Sequence, residues 1–162
     1  GRCVERSPQT ARALSEAGHW IGLHGYDHDL FPRLGADRLK ADLDRTRELI
    51  HGACGIAKHN LIDVRPPYAV ATPSTLKQLK TWGYRTVMWS VVPEDWVHPG
   101  IDIAIDRVLT QTQNGSQIVF HDGHYGGKDV AETIDRLIPR LKTQGYEFVT
   151  VDQLWQGHPR KS

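Results

Sequence analysis

Residues 20–28 read WIGLHGYDH. A short apolar run ends at His24, and a second histidine, His28, follows four residues later. The run suits a buried strand, and the spacing suits two ligands of one metal ion. With nine histidines in the chain, chance alone supplies such pairs often, so the surrounding sequence has to decide.

Helix and strand signals alternate on both sides of this stretch. Ser7-Pro8 reads as an N-cap followed by proline at the first helical position, and Gly18 closes that helix. Residues 36–51 place Leu39, Leu43, Thr46 and Ile50 on one stripe at helical spacing. LIDVR (61–65) reads as a second strand. Thr72-Pro73 repeats the cap-plus-proline start of a helix that Gly83 ends. YRTVMWSV (84–91) predicts a third strand, and a helix over 102–113 follows. SQIVFHD (116–122) predicts a fourth strand, and YEFVTV (146–151) the last. Between these two, a helix over about 128–143 contains Pro139, which is expected to kink or divide it. TWGYRTVMW (81–89) and TQGYEFVTV (143–151) use one device twice: a helix ends at glycine and a strand is entered through tyrosine.

Apolar strands alternating with amphipathic helices imply a parallel sheet with right-handed crossovers. A barrel and a doubly wound sheet both satisfy the pattern. Five strands in 162 residues fall short of an eight-fold barrel, which usually needs at least about 200 residues. No linker or low-complexity tract interrupts the chain, so it reads as one domain over 1–162.

Composition excludes several functions. Twenty Lys and Arg against nineteen Asp and Glu leave a net charge of +1, with no basic tract, which argues against nucleic acid or an anionic membrane as the main partner. No apolar run approaches the roughly 18 residues of a membrane span. No signal peptide is visible at the start, although a removed one leaves no trace. Cys3 and Cys54 leave one bridge or two free thiols open. Five tryptophans suit stacking on sugar rings, although burial in a core is the commoner use of Trp.

The chemically capable residues cluster at expected strand ends. His24 ends the first strand and Arg65 the second, Asp95-Trp96 follow the third, and His121-Asp122 end the fourth. In parallel α/β architectures those ends share one face, where active sites are built.

These residues carry a resemblance. HGYDH (24–28), RPPY (65–68), EDW (94–96) and VFH (119–121) follow one another in the order of four motifs of the NodB-type polysaccharide deacetylases, carbohydrate esterase family 4. GHWIGLHGYDH, WSVVPEDW and QIVFHDG are similar to that family between the motifs as well. The resemblance covers essentially the whole chain. It implies an α/β fold, a NodB-like distorted (β/α) barrel with parallel strands.

It also implies a reaction, the metal-dependent hydrolytic deacetylation of an N- or O-acetylated carbohydrate such as chitin, peptidoglycan or xylan. His24 and His28 would hold a divalent metal, zinc first, with cobalt or nickel as alternatives. The metal acidifies water and polarises the acetyl carbonyl. The backbone N–H of Tyr68 would help hold the oxyanion. His121 would be the general acid that protonates the departing amine, and Asp95 would orient it and favour its imidazolium form. Trp96 and Val119 would wall the acetyl methyl. Arg65 matches the arginine that tethers the family's catalytic base. A secreted or cell-envelope location follows from the same resemblance.

The departures matter as much. The family's base and third metal ligand form an Asp-Asp pair on an opening strand, and this chain contains no Asp-Asp dipeptide. GRCVERSPQTARAL aligns with the helix after that strand, so the domain is expected to lack its first strand at the N-terminus. Arg65 is then expected to turn to Asp95. The gap is expected to be filled by a homo-oligomer, by a complementing N-terminal segment, or by rearrangement. Asp27, Asp29, Asp122 and His124 are the nearest alternative donors. Val92 stands at the first Asp of the Asp-x-x-Asp-Trp motif, and Ala69 where glycine often follows Pro-Pro-Tyr. Two other readings follow: a carbohydrate-binding remnant without catalysis, and an amidohydrolase acting on a small cyclic amide.

Overall fold

Among the described residues, three helices end in the same hydrogen-bonded turn. A computed structural model describes residues 1–157, except for the side chains of residues 124–126. Helix α2 (Pro8–Glu16) is closed by Gly18, α4 (Pro73–Thr81) by Gly83 and α6 (Gly123–Thr143) by Gly145, all left-handed at φ 81°, 81° and 88°. In each, the glycine N–H and the N–H of the next residue reach back to carbonyls of the last turn, as in Tyr84 N–H to Leu79 O (2.9 Å) and Tyr146 N–H to Leu141 O (3.1 Å). This is the Schellman arrangement, which satisfies carbonyls the helix end leaves open. The repeated Gly-Tyr device is therefore a helix stop in both copies.

The chain forms two compact units, residues 1–88 and 89–162. In the first, α1 (Arg2–Arg6) and α2 precede the segment that carries the two histidines. Helix α3 (Ala36–Cys54) then supplies the core, with Leu39, Leu43, Thr46 and Ile50 buried as the stripe requires. They pack with Leu23, Phe31, Leu61, Val64, Leu79 and Tyr84. Each large apolar side chain so buried contributes about 1.5–3 kcal/mol. Thr72 Oγ1 accepts the Thr75 N–H at 3.2 Å and starts α4 as its cap.

A parallel ladder joins β1 (Asp63–Val64) to β2 (Arg85–Thr86), and Leu23 adds a parallel bridge to Val64. The ladder is shorter than the expected strands 20–24, 61–65 and 84–91. Pro66 and Pro67 bring no N–H directly after Arg65, which ends pairing on that side. One buried carboxylate locks the ladder from the side. Asp63 takes the Trp20 indole N–H at 2.6 Å and both arms of the Arg85 guanidinium, at 2.5 and 2.7 Å. Gly22 lies so close to this strand that a Cβ there would sit 3.1 Å from the Asp63 carbonyl.

In the second unit, Val91 makes a parallel bridge with Ile118. Helix α5 (Ile101–Gln111) and α6 cover them through Ile105, Val108, Leu137 and Leu141. Helix α6 runs unbroken through Pro139, so the expected division does not occur. The expected last strand, 146–151, pairs with nothing as a strand among the described residues. Thr150 and Gln153 instead form a capping box that opens α7 (Val151–Trp155). All strand pairing in the described residues is parallel, as expected, and within neither unit does it close into a barrel. Both cysteines are free thiols, and burial pushes the Cys54 thiol above its ordinary range. No helix among the described residues is long and apolar enough to cross a membrane.

Asp63→Ala removes the two hydrogen bonds that Arg85 donates to this buried carboxylate and the one from the Trp20 indole. It is expected to destabilise the fold by about 3 kcal/mol, read as a lower urea midpoint at unchanged slope.

Candidate functional site

His24 follows Leu23, the residue that bridges β1, and its ring continues the ladder. Leu23 N–H bonds the Asp63 carbonyl (2.8 Å), Arg65 N–H bonds the Leu23 carbonyl (2.9 Å), and His24 Nδ1 then meets the Arg65 carbonyl at 2.6 Å. A carbonyl only accepts, so Nδ1 carries the proton and the Nε2 lone pair is left pointing outward. That lone pair faces His28 Nε2 at 3.1 Å. In a neutral pair His28 Nε2–H is the donor. His28 itself sits in left-handed backbone at φ 63°, and its ring meets Tyr68 edge-on at 4.6 Å.

The loop between the histidines is held by Asp42 on α3, which accepts the Tyr26 N–H at 3.0 Å. Burial raises the Asp42 carboxyl above its usual range, despite that hydrogen bond. Tyr26 also bonds Glu5, which pairs with Arg45, whose guanidinium stacks 3.7 Å from the Tyr26 ring centre. Arg65 is half-buried, and its Nε–H donates to the Val87 carbonyl at 3.2 Å. Burial lowers the pKa of its guanidinium, which nevertheless stays charged.

Pro66-Pro67-Tyr68-Ala69 forms a tight turn in which Ala69 N–H bonds Pro66 O (3.2 Å) and Val70 N–H bonds Pro67 O (3.1 Å). The prolines have no N–H, so Tyr68 is the residue whose N–H those turn bonds leave over. Both Tyr68 and Ala69 have φ 58°. At Ala69 this is a conformation that glycine adopts without cost, so alanine is carried there under strain.

In the second unit Asp95, buried, receives two hydrogen bonds from one residue. His121 backbone N–H reaches its Oδ2 at 2.6 Å, and His121 Nδ1 its Oδ1 at 2.9 Å. The carboxylate thus fixes the ring orientation and leaves Nε2 as the outward nitrogen. Trp96, 40% exposed, stands edge-on to the His121 ring at 5.3 Å. Val119 is buried, its N–H on the Val91 carbonyl at 3.1 Å. Glu94 and His98, on either side of the 95–97 turn, also have positive φ.

Backbone strain marks these segments. The five non-glycine residues with positive φ in the described chain are His28, Tyr68, Ala69, Glu94 and His98. Each lies in or beside a sequence motif, and strain of this kind concentrates at working sites.

The fit to a metal is partial. Two ring nitrogens on a tetrahedral zinc, each about 2.0–2.1 Å from it, stand roughly 3.3 Å apart. The 3.1 Å between His24 and His28 is within a few tenths of that. A third donor is not beside them: the described residues contain no group of three or more His, Cys, Asp or Glu able to hold a metal. Asp27 pairs with Arg2, and Asp29 lies 3.6 Å from Arg38. Asp122 stands exposed at the N-cap position of α6 without a side-chain capping bond, and the side chain of His124 lies outside the described residues.

Sequence reasoning missed Asp63 and Asp42, which set the strand and the loop that carry the histidines. Their signal lay in three dimensions, in partners 22 and 16 residues away.

The family model described as polysaccharide deacetylase matches residues 1–87. The peptidoglycan-N-acetylmuramic acid deacetylase PdaA of Bacillus subtilis is 34% identical over 157 residues, 95% of this chain and 58% of its own length. The structure of peptidoglycan deacetylase PdaC from B. subtilis superposes with TM-score 0.85 at 30% identity, over 96% of this chain and 73% of that one. A carbohydrate esterase family 4 pseudoenzyme from Bacillus anthracis gives TM-score 0.85 at 25% identity, over 95% and 52%. A mutant of that pseudoenzyme is described as having restored enzymatic activity. The chain belongs to the polysaccharide deacetylase family. It spans little more than half the length of the first curated relatives it matches.

The His24 geometry has a spectroscopic consequence. Long-range ¹H–¹⁵N correlation of the metal-free chain near neutral pH is expected to show His24 as the Nδ1–H tautomer and His28 as Nε2–H. An Nε2–H tautomer at His24 contradicts the ladder contact to the Arg65 carbonyl.

Proposed function

We propose that this chain serves the hydrolytic deacetylation of an acetylated cell-envelope glycan, with His24 and His28 holding a divalent metal, zinc first. The observation that carries this reading is His24: its Nδ1 is committed to the Arg65 carbonyl, so its Nε2 faces His28 as a ligand pair. PdaA and PdaC are named for deacetylating peptidoglycan, which directs the proposal to that polymer. It also favours an envelope or secreted location.

His24 and His28 would hold the metal, which would supply Lewis-acid polarisation of the acetyl carbonyl and a more acidic water. The chain's own residues do the rest. Tyr68 N–H stabilises the negative oxygen that forms when water adds to the carbonyl. His121, with Nδ1 on Asp95, holds a proton at Nε2 for the sugar nitrogen as the C–N bond breaks. The amine leaves neutral, and acetate is the other product. Trp96 offers an apolar face for the methyl. Arg65 acts here as a positioning residue, since its backbone carbonyl orients His24.

A general base is also needed, and Asp27 and Asp29, the carboxylates nearest the histidines in sequence, are paired with Arg2 and Arg38. This observation favours a second reading, a glycan-binding relative that holds sugar without cutting it. A pseudoenzyme of carbohydrate esterase family 4 shares this fold.

Acetate release from N-acetylglucosamine oligomers and from peptide-free peptidoglycan strands, with zinc present, separates the two. The first reading expects turnover that His121→Ala lowers by about 10²–10⁴-fold, mostly in kcat. Oligomer binding with no acetate released supports the second, and turnover unaffected by His121→Ala removes His121 from the mechanism.

A further inference from the structure

The carboxylate that orients His121 sits beyond the last bridge bonds of its segment. Val91 N–H bonds the Gln117 carbonyl at 3.1 Å, and the Val91 carbonyl accepts the Val119 N–H at 3.1 Å. Pro93 then has no N–H to offer a ladder, and Glu94 turns into left-handed backbone at φ 55°. Asp95 follows directly. Irregular backbone thus separates the paired residues from the side chain that fixes His121.

Two side chains of α5 support this stretch. Gln111 meets Val92 as a strand neighbour would: its Oε1 accepts the Val92 N–H and its Nε2–H donates to the Val92 carbonyl, both at 3.3 Å. One turn earlier, Arg107 Nη1–H donates to the Pro93 carbonyl at 2.9 Å, and the same nitrogen lies 2.9 Å from the Glu94 carboxylate. Pro93 is buried, so its carbonyl needs a partner within the fold. The ion pair to Glu94 faces solvent and adds little stability by itself. It is made, however, to the strained residue that precedes Asp95. Residues 107 and 111 share one side of α5, and buried Ile105 and Val108 anchor that helix in the core of this unit. Three consecutive residues, 92–94, are therefore gripped from one helix immediately before Asp95.

We infer that Arg107, assisted by Gln111, is a positioning residue for the Asp95–His121 pair. It fixes the backbone of 93–94, and through Asp95 it fixes the ring of His121. Both side chains lie outside the four sequence motifs. This rests on the role of His121 proposed above and deepens it. A proton donor works only within hydrogen-bond reach, and misplacement by about 1 Å can cost about 10²-fold in rate.

The test reads the ring first and the reaction second. Neutral His121 is the Nδ1–H tautomer, because the Asp95 carboxylate only accepts. Long-range ¹H–¹⁵N correlation of the full chain, at a pH that leaves the ring neutral, is expected to show that tautomer. Arg107→Met is expected to give a mixture with Nε2–H, and Arg107→Lys to restore Nδ1–H, since a single nitrogen makes both contacts. The signature of His24, in the other unit, reports that the fold is kept. With zinc and N-acetylglucosamine oligomers, Arg107→Met is expected to lower kcat by about tenfold at unchanged KM. In a His121→Ala background the same substitution is expected to change nothing, because residues that act through one group are not additive.

Neutral His121 that stays wholly Nδ1–H in both Arg107→Met and Gln111→Ala overturns the clamp while the deacetylase reading stands. Gln111 is exposed, so Gln111→Ala decides the matter if Arg107→Met does not fold. A kcat loss that persists in the His121→Ala background overturns the route through His121. A shifted tautomer in a chain without turnover supports the clamp and counts against the catalytic reading beneath it.

Discussion

The pairing of Leu23 with Val64 is the contact on which the histidine pair depends. It aligns two chain segments in parallel register, so that His24 and Arg65 emerge at the same level. The Arg65 carbonyl, with no further strand residue to serve because two prolines follow, becomes the acceptor for His24 Nδ1. Backbone geometry thereby sets the tautomer of a side chain. Asp63, between Trp20 and Arg85, prevents this register from slipping. A one-residue slip would reverse the faces of the strand and separate the histidine from its carbonyl.

Strain and support are divided in an orderly way. The positive-φ residues occupy the turns that present His28, Tyr68 and the Asp95–Trp96 segment. The supports lie underneath: the α3 core, the Asp42 bond to the loop, and the Schellman turns that stop the helices. Asp95 follows the same logic, since it binds both the backbone N–H and the ring of His121, fixing position and orientation together.

Helices were largely legible from the sequence because their signals are local. The stripe of Leu39, Leu43, Thr46 and Ile50, the Ser7-Pro8 and Thr72-Pro73 starts and the closing glycines each lie within a few residues. Strands were legible in direction and poorly in length, because pairing needs a partner far along the chain and prolines interrupt it. The 146–151 segment was misread: its β-rich composition was weighed, whereas the Thr150–Gln153 capping box that decides its end was not. The site's histidines and Asp95 were legible from motif order. Asp63 and Asp42 were not, because an Asp in a strand or on a helix is ordinary until its buried partners are known.

The central claim is that His24 and His28 are a metal clamp already oriented by the backbone. Calorimetric titration of the chain with zinc, with His24→Ala as control, tests it most directly. The account predicts one-to-one binding that the substitution abolishes, with the His28 proton shifted from Nε2 to Nδ1 as Nε2 becomes the ligand. No zinc binding, or binding that persists in His24→Ala, contradicts it.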